Sequence, residues 1–223
     1  MAKVLVLFSG GLDSTVALYD AIAQYGKENV AALSLYYGQR HQCELDAADA
    51  VARHLCIKRI EKRIPQIFAD MPDCSLLYGA DTTIKDGTYE EQLKEDGVVN
   101  TFVPYRNAVF ISIAAAIAYA AGYSRVHIAV HKDDNNVAYP DCSKEFIRYQ
   151  AGAVWEGTGH KVLLDAPFVD MTKADIVRAG LNIGMTKEDF DRTYSCYRGV
   201  PGGCGTCATC LDRQKALSAH GLL

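Results

Sequence analysis

The chain has 223 residues, of which 49% are hydrophobic and 22% charged, with 23 Lys and Arg against 27 Asp and Glu. This composition fits a soluble protein built as one large domain or one domain with an appendage. The net charge of −4 argues against a broadly basic nucleic-acid surface. With no export signal at the N-terminus, the eight cysteines are expected as thiols or metal ligands and the protein as cytoplasmic.

Val4 to Phe8 is a short apolar run, expected as a strand buried on both faces of a parallel sheet. Ser9-Gly10-Gly11 breaks it, and Asp13 and Ser14 open a helix that carries Val16, Ala17, Ala21 and Ile22. A strand, a glycine turn and a helix N-terminus form an anion site, because unpaired N–H groups and the positive end of the helix dipole face the turn. The pattern is neither the Walker A loop nor the dinucleotide-binding glycine fingerprint. Ser9-Gly10-Gly11-Leu12-Asp13-Ser14 resembles the PP-loop of the ATP pyrophosphatases, which split ATP between its α- and β-phosphates. By that resemblance ATP is held along Phe8, Ser9, Gly10, Gly11, Leu12, Asp13, Ser14, Thr15, Val16, Ala17 and Leu18. Asp13, itself an anion, is expected to cap the helix or orient Mg²⁺.

Val30 to Tyr36 is expected as a second strand, Cys43 to Leu55 as a helix with Leu45, Ala48, Val51, Ala52 and Leu55 on one side, and residues 57–64 as a third strand. This alternation implies an α/β fold with a doubly wound parallel sheet and ligands at the carboxyl ends of its strands. Gly38-Gln39-Arg40-His41 falls at such an end, where Arg40 either forks onto a phosphate or carboxylate or belongs to a solvated loop. Residues 65–100 mix turn residues with charge and are expected to form an insertion or flap.

Asn107 is expected to cap an apolar helix that runs to about Ala121 and ends at Gly122, too short for the ~20 residues of a membrane span. Arg106, at the mouth of that helix, is a second candidate for anion binding or a structural ion pair. Arg125 to Val130 is expected as a strand, followed by a polar loop from His131 to Cys142 in which substrate would be read. His41 and His131, on loops after strands, are weaker candidates for substrate contact. Helix Lys144 to Val154, strand Val162 to Leu164, and capping boxes opening at Thr172 and Thr186 complete the pattern.

Near the C-terminus, Cys196, Cys204, Cys207 and Cys210 have the spacing Cys-x7-Cys-x2-Cys-x2-Cys, interleaved with glycines. Four thiolates in so short a stretch suit one closed, structural zinc site. An iron–sulfur cluster and a redox Cys-x-x-Cys pair are the alternatives. Of the other cysteines, Cys56 is expected as a small core residue, and Cys142 sits where it could touch substrate.

A PP-loop with a C-terminal four-cysteine knuckle resembles the QueC family, the 7-cyano-7-deazaguanine synthases of the queuosine pathway. The likeness spans nearly the whole chain: Ser9 to Thr15, Tyr37 to His41, Phe102 to Asn107, Tyr139-Pro140-Asp141-Cys142, Ser195-Cys196-Tyr197 and the Cys204 to Cys210 block. It departs from the family pattern at Tyr105, in residues 133–138, and at Asp212.

The resemblance implies a PP-loop domain over residues 1–185 and a helical zinc-binding segment over residues 186–223. It implies ATP, Mg²⁺ and Zn²⁺ as cofactors, 7-carboxy-7-deazaguanine and ammonia as substrates, AMP and pyrophosphate as products, and a homodimer with no direct nucleic-acid or membrane partner. Arg40, Arg106 and Asp13 are then the expected catalytic residues, and Arg106, Tyr139, Asp141 and Cys142 the expected substrate contacts. The rival reading is a PP-loop tRNA-modifying enzyme.

Overall fold

Val4, Leu5 and Val6 have no exposure and Leu7 only 8%, and the strand they form, β1 (Val4–Leu7), is the centre of the sheet. The computed structural model describes residues 2–71, 73–80, 82–135 and 138–223. Met1, Pro72 and Asp81 of the expected insertion, and Asn136 and Val137 of the polar loop lie outside these residues.

The other strands are β2 (Val30–Tyr36), β3 (Lys58–Arg63), β4 (Arg125–His127) and β5 (Leu163–Asp165). The helices are α1 (Leu12–Tyr25), α2 (Cys43–Leu55), α3 (Tyr89–Asp96), α4 (Arg106–Ala121), α5 (Lys132–Asn135), α6 (Lys144–Gly157), α7 (Lys173–Asn182), α8 (Lys187–Asp191) and α9 (Ala208–Ser218). The sheet order is β3-β2-β1-β4-β5, and every pairing is parallel. The chain winds outward from β1 through β2 and β3, then crosses back to β4 and β5. The carboxyl ends of β1 and β4 therefore splay apart at the point where the winding reverses, and that crevice is where such sheets bind ligands.

Alternation along β1 divides the core. Val4 and Val6 pack with α1, α2, α7 and α9 on one face, while Leu5 and Leu7 pack with α4 and α6 on the other. Because both faces are covered, the central strands read as unbroken apolar runs. β3, at the edge, instead exposes charged side chains, which blunt an open ladder.

Three local expectations change. β4 ends at His127 rather than Val130, because its neighbour β5 is short and the chains diverge beyond the Ile128 N–H bond to the Asp165 carbonyl (3.0 Å). Helix α4 begins one residue before Asn107 and follows Tyr105, which has a left-handed backbone (φ 61°). Its N-terminus is capped from a distance: the Asn107 N–H donates to Asp141 Oδ2 (2.9 Å), and the Asn107 amide donates to the Asp141 carbonyl (3.1 Å). Cys56 is exposed, not core, because it takes the left-handed position that ends α2 (φ 50°).

Between β3 and α4, the chain forms a 3-10 turn at Pro65–Phe68 and then α3, whose Thr88–Glu91 capping box adds to the expected boxes at Thr172 and Thr186. Phe68, Leu76, Leu77 and Ile84 from this stretch pack with Tyr37, Val103 and the buried cysteines Cys196, Cys207 and Cys210 in a third apolar cluster. No helix of the described residues is long and apolar enough to cross a membrane.

Candidate active site

The glycine turn closes on itself before it meets any ligand. Ser9 Oγ accepts the Gly11 N–H (3.1 Å) and lies 3.1 Å from Ser14 Oγ, and the Ser9 N–H reaches Ser14 Oγ (3.3 Å). Thr15 Oγ1 donates back to the Gly11 carbonyl (2.8 Å). Gly10 has φ +87°, and a Cβ there would run into the Glu44 carbonyl and lie 2.5 Å from the Ala48 nitrogen. Only glycine combines that backbone with contact against α2. From the other side, the Tyr194 N–H donates to the Gly10 carbonyl (3.0 Å).

The turn opens into a cavity at the carboxyl ends of β1, β2 and β4, bounded by Phe8, Leu33, Leu35, Ile128 and Val130. The first turns of five helices reach it: Leu12, Asp13 and Ser14 from α1, Glu44 and Leu45 from α2, Arg106 and Asn107 from α4, Lys173 from α7, and Thr209 from α9. Their dipoles all place positive potential at one end of the sheet, so a protein of net negative charge presents a cavity suited to phosphate.

The side chains strengthen this. Asp13 Oδ2 lies 3.5 Å from Lys173 Nζ and 3.6 Å from His131 Nε2. Burial pushes the Asp13 carboxyl up, but Lys173 and His131 outweigh it and hold the group well below the usual carboxylate range. Asp13 is thus a fixed anion that aims a lysine at the cavity. Arg106 donates to Tyr37 Oη (3.1 Å) and lies over the Tyr37 ring (5.4 Å). Burial pushes the Tyr37 phenol up to about 12, with Arg106 pulling against it, so Tyr37 stays neutral. Among the described residues, the Arg106 guanidinium forms no ion pair. Glu44 shares the cavity, and burial pushes its carboxyl up to about 7 against the pull of Arg106.

The expected site residues divide into groups. Phe8, Ser9, Gly11, Leu12, Asp13, Ser14, Arg106 and Cys142 line the cavity, as does His41. Gly10 and Thr15 stand behind the turn, and Val16, Ala17 and Leu18 are fully buried in the core. Arg40 does not line the cavity. Its guanidinium clasps the carbonyls of Leu77 (3.1 Å), Ala80 (2.7 Å) and Thr82 (2.5 Å), which gives it a structural task in place of the expected anion contact. Tyr139 and Asp141 also sit behind the wall. Tyr139 Oη pairs with Thr101 Oγ1 (2.7 Å), Asp141 caps α4, and the Asn107 amide reaches Cys142 Sγ (3.3 Å).

Sequence reasoning passed over Lys173, Glu44, Tyr89 and Tyr197, all of which line the cavity. Lys173 and Glu44 each follow a strand and open a helix, a position that could have marked them. Nothing local marks Tyr89, whose hydroxyl meets that of Tyr197 at 2.9 Å across 108 positions of sequence.

The thiols of Cys196, Cys204, Cys207 and Cys210 lie within 4.8 Å of one another, with Cys204 Sγ 3.9 Å from Cys210 Sγ. Four sulfurs at ~2.3 Å around one tetrahedral ion would stand about 3.8 Å apart, so the cluster fits a metal. Burial raises the Cys207 and Cys210 thiols, whereas at Cys204 burial is outweighed by the N–H groups of Thr206 and Cys207, which lower the thiol. The stretch containing Cys196 also carries Tyr194, Ser195 and Tyr197 into the cavity wall, so the cysteine loop is part of the site.

Residues 3–221 match the family model described as "Queuosine biosynthesis protein QueC". The chain belongs to the QueC family. Curated relatives of this family named 7-cyano-7-deazaguanine synthase include one from Archaeoglobus fulgidus, 38% identical over 99% of this chain and 87% of the relative. Another, from Porphyromonas gingivalis, is 36% identical over 98% of this chain and 93% of its own length. A third, from Caldicellulosiruptor bescii, is 37% identical over 99% and 94%. The QueC chain also shares its fold with the solved structure of a predicted subunit of tRNA methyltransferase from Methanocaldococcus jannaschii. That likeness has a TM-score of 0.52 at 15% identity and covers 81% of this chain and 75% of the other.

Proposed function

We propose that the protein converts 7-carboxy-7-deazaguanine and ammonia into 7-cyano-7-deazaguanine with ATP, releasing AMP and pyrophosphate. The observation that carries this reading is the meeting, in one cavity, of a phosphate-type glycine turn and a guanidinium that, among the described residues, is engaged in no ion pair, in a chain of the QueC family. A carboxylate resists attack by ammonia until one of its oxygens becomes a leaving group. The glycine-turn N–H groups and Lys173 would hold the phosphates, and Arg106 would hold the substrate carboxylate against the α-phosphate. Attack of the carboxylate on that phosphorus makes an acyl adenylate and expels pyrophosphate, ammonia then displaces AMP, and a second ATP adenylates the amide oxygen, which leaves with AMP as the nitrogen sheds its protons and the nitrile forms.

Mg²⁺ would neutralise charge on the departing pyrophosphate, and Asp13, in the first turn of α1, would orient it. Zinc on the four cysteines would be structural, holding Tyr194, Ser195 and Tyr197 in the wall.

Incubation with ATP, Mg²⁺, ammonia and 7-carboxy-7-deazaguanine, following AMP and product mass together, tests the reading. The expected result is AMP release that depends on the deazaguanine, with the nitrile as product. AMP release only in the presence of tRNA would replace it.

A further inference from the structure

Glu44 differs from the other carboxylates around the cavity. Asp13 faces Lys173 and His131, and Asp141 accepts the Asn107 N–H. Among the described residues, the Glu44 carboxylate takes part in no hydrogen bond or ion pair, although it lines the cavity. Its place is fixed by the backbone: Glu44 is the second residue of α2, and its carbonyl packs on Gly10 of the phosphate turn. The charged group acting on it is the Arg106 guanidinium. A half-buried acid that makes no such contact, lining the cavity beside the guanidinium proposed to hold the substrate carboxylate, is placed for chemistry at the reacting carbon.

We propose that Glu44 is the proton acceptor for the nitrogen nucleophile. The inference rests on the functional reading above. Ammonia attacks the acyl-adenylate carbon; the C–N bond forms, the bond from that carbon to the adenylate oxygen breaks, and AMP leaves with the bonding pair. The proton shed by nitrogen passes to a Glu44 oxygen and then to solvent. In the nitrile-forming step, the same oxygen takes protons lost by the amide nitrogen as the adenylated C–O bond breaks and AMP leaves with the oxygen and the bonding pair. Burial that holds the Glu44 carboxyl near neutrality suits a group that accepts and returns protons in each cycle. Recognition of the base's amino edge would be the other use for a carboxylate. That edge lies on the far side of the ring from the carboxyl substituent, whereas the Glu44 carboxylate faces Arg106, the group proposed above to hold that substituent.

The test is Glu44→Gln in the full-length protein, read by two reactions. Pyrophosphate exchange into ATP, dependent on the carboxylate substrate and run without ammonia, reports activation alone. Turnover with ammonia reports the nitrogen step. Exchange is expected to stay within about threefold of wild type while turnover with ammonia falls by 10² or more, the usual scale for loss of a general base. Hydroxylamine, which is largely unprotonated at neutral pH, is expected to restore most of the acyl transfer in the variant. Parallel loss of exchange and turnover, or a raised KM for the deazaguanine with unchanged kcat, would overturn the proposal in favour of a base-binding role. Absence of substrate-dependent exchange in wild type would instead overturn the functional reading, and this inference with it.

Discussion

Asp13 and Lys173 come from opposite ends of the domain, yet Nζ and Oδ2 stand 3.5 Å apart at the mouth of the phosphate turn. The carboxylate is in the first turn of α1 and the lysine opens α7, so the pair locks two helix N-termini into one anion site. Lys173→Met is expected to raise the KM for ATP by about 10–100-fold, the scale of one charged hydrogen bond to phosphate. It should also lower the unfolding midpoint, because the buried Asp13 carboxylate loses the cation that offsets its desolvation. ATP titrations read beside thermal melts check this, and an unaltered KM would remove Lys173 from the phosphate site.

Arg106 is held by Tyr37 rather than by a carboxylate, and so remains free to receive one. Arg106→Ala is expected to lower turnover by 10² or more with the fold intact. Arg106→Lys should recover only a small part of it, because a point charge cannot replace a planar fork. Steady-state kinetics and circular dichroism on both variants decide the matter.

Arg40 supplies a contrast. Its three carbonyl bonds tie down the chain at Leu77, Ala80 and Thr82. Arg40→Ala is expected to speed hydrogen exchange and proteolysis around these residues while reducing turnover far less than Arg106→Ala. A loss of turnover equal to that of Arg106→Ala would instead place Arg40 in the chemistry.

The pattern of what could be read from sequence follows from locality. The strands, the glycine turn and the cysteine spacing are written in short runs, so β2 and α2 fall on their expected residues. The contacts of Arg40 and Asp141 were not legible because their partners are remote: a loop some forty positions downstream for one, the start of α4 for the other. Asn107 is a good capping residue by type, but Tyr105 takes the left-handed position ahead of it and Asp141 supplies the cap. Glu44 and Lys173 were hidden because one charged residue at the start of a helix usually faces water. Only the convergence of five helices turns those positions inward.

Gly10→Ala is a test of the turn itself. The added methyl meets backbone atoms of α2 and the residue must hold φ +87°, so strain alone is expected to cost about 1–3 kcal/mol. The melting temperature should fall by several degrees, and ATP binding should weaken as the turn shifts. A variant that melts like wild type would contradict the packing of Gly10 on Glu44 and Ala48.

Chelation should act on stability and chemistry together, since the cysteine loop carries Tyr194, Ser195 and Tyr197 into the wall. Metal analysis is expected to find one equivalent of zinc. Its removal should lower the unfolding midpoint and abolish substrate-dependent AMP release, and both should return with added zinc. Full activity in a metal-free protein would separate the knuckle from the site.

The bond from Tyr194 to the Gly10 carbonyl has a consequence for the order in which the protein becomes competent. A ribosome delivers Gly10 near the start of synthesis, and all five strands, through Asp165, emerge before Tyr194. A nascent chain can therefore complete its sheet while the phosphate turn lacks its brace and the cavity lacks its far wall. The phosphate turn gains this brace, and the cavity its Tyr194, Ser195 and Tyr197 wall, only once the cysteine-bearing stretch has been made.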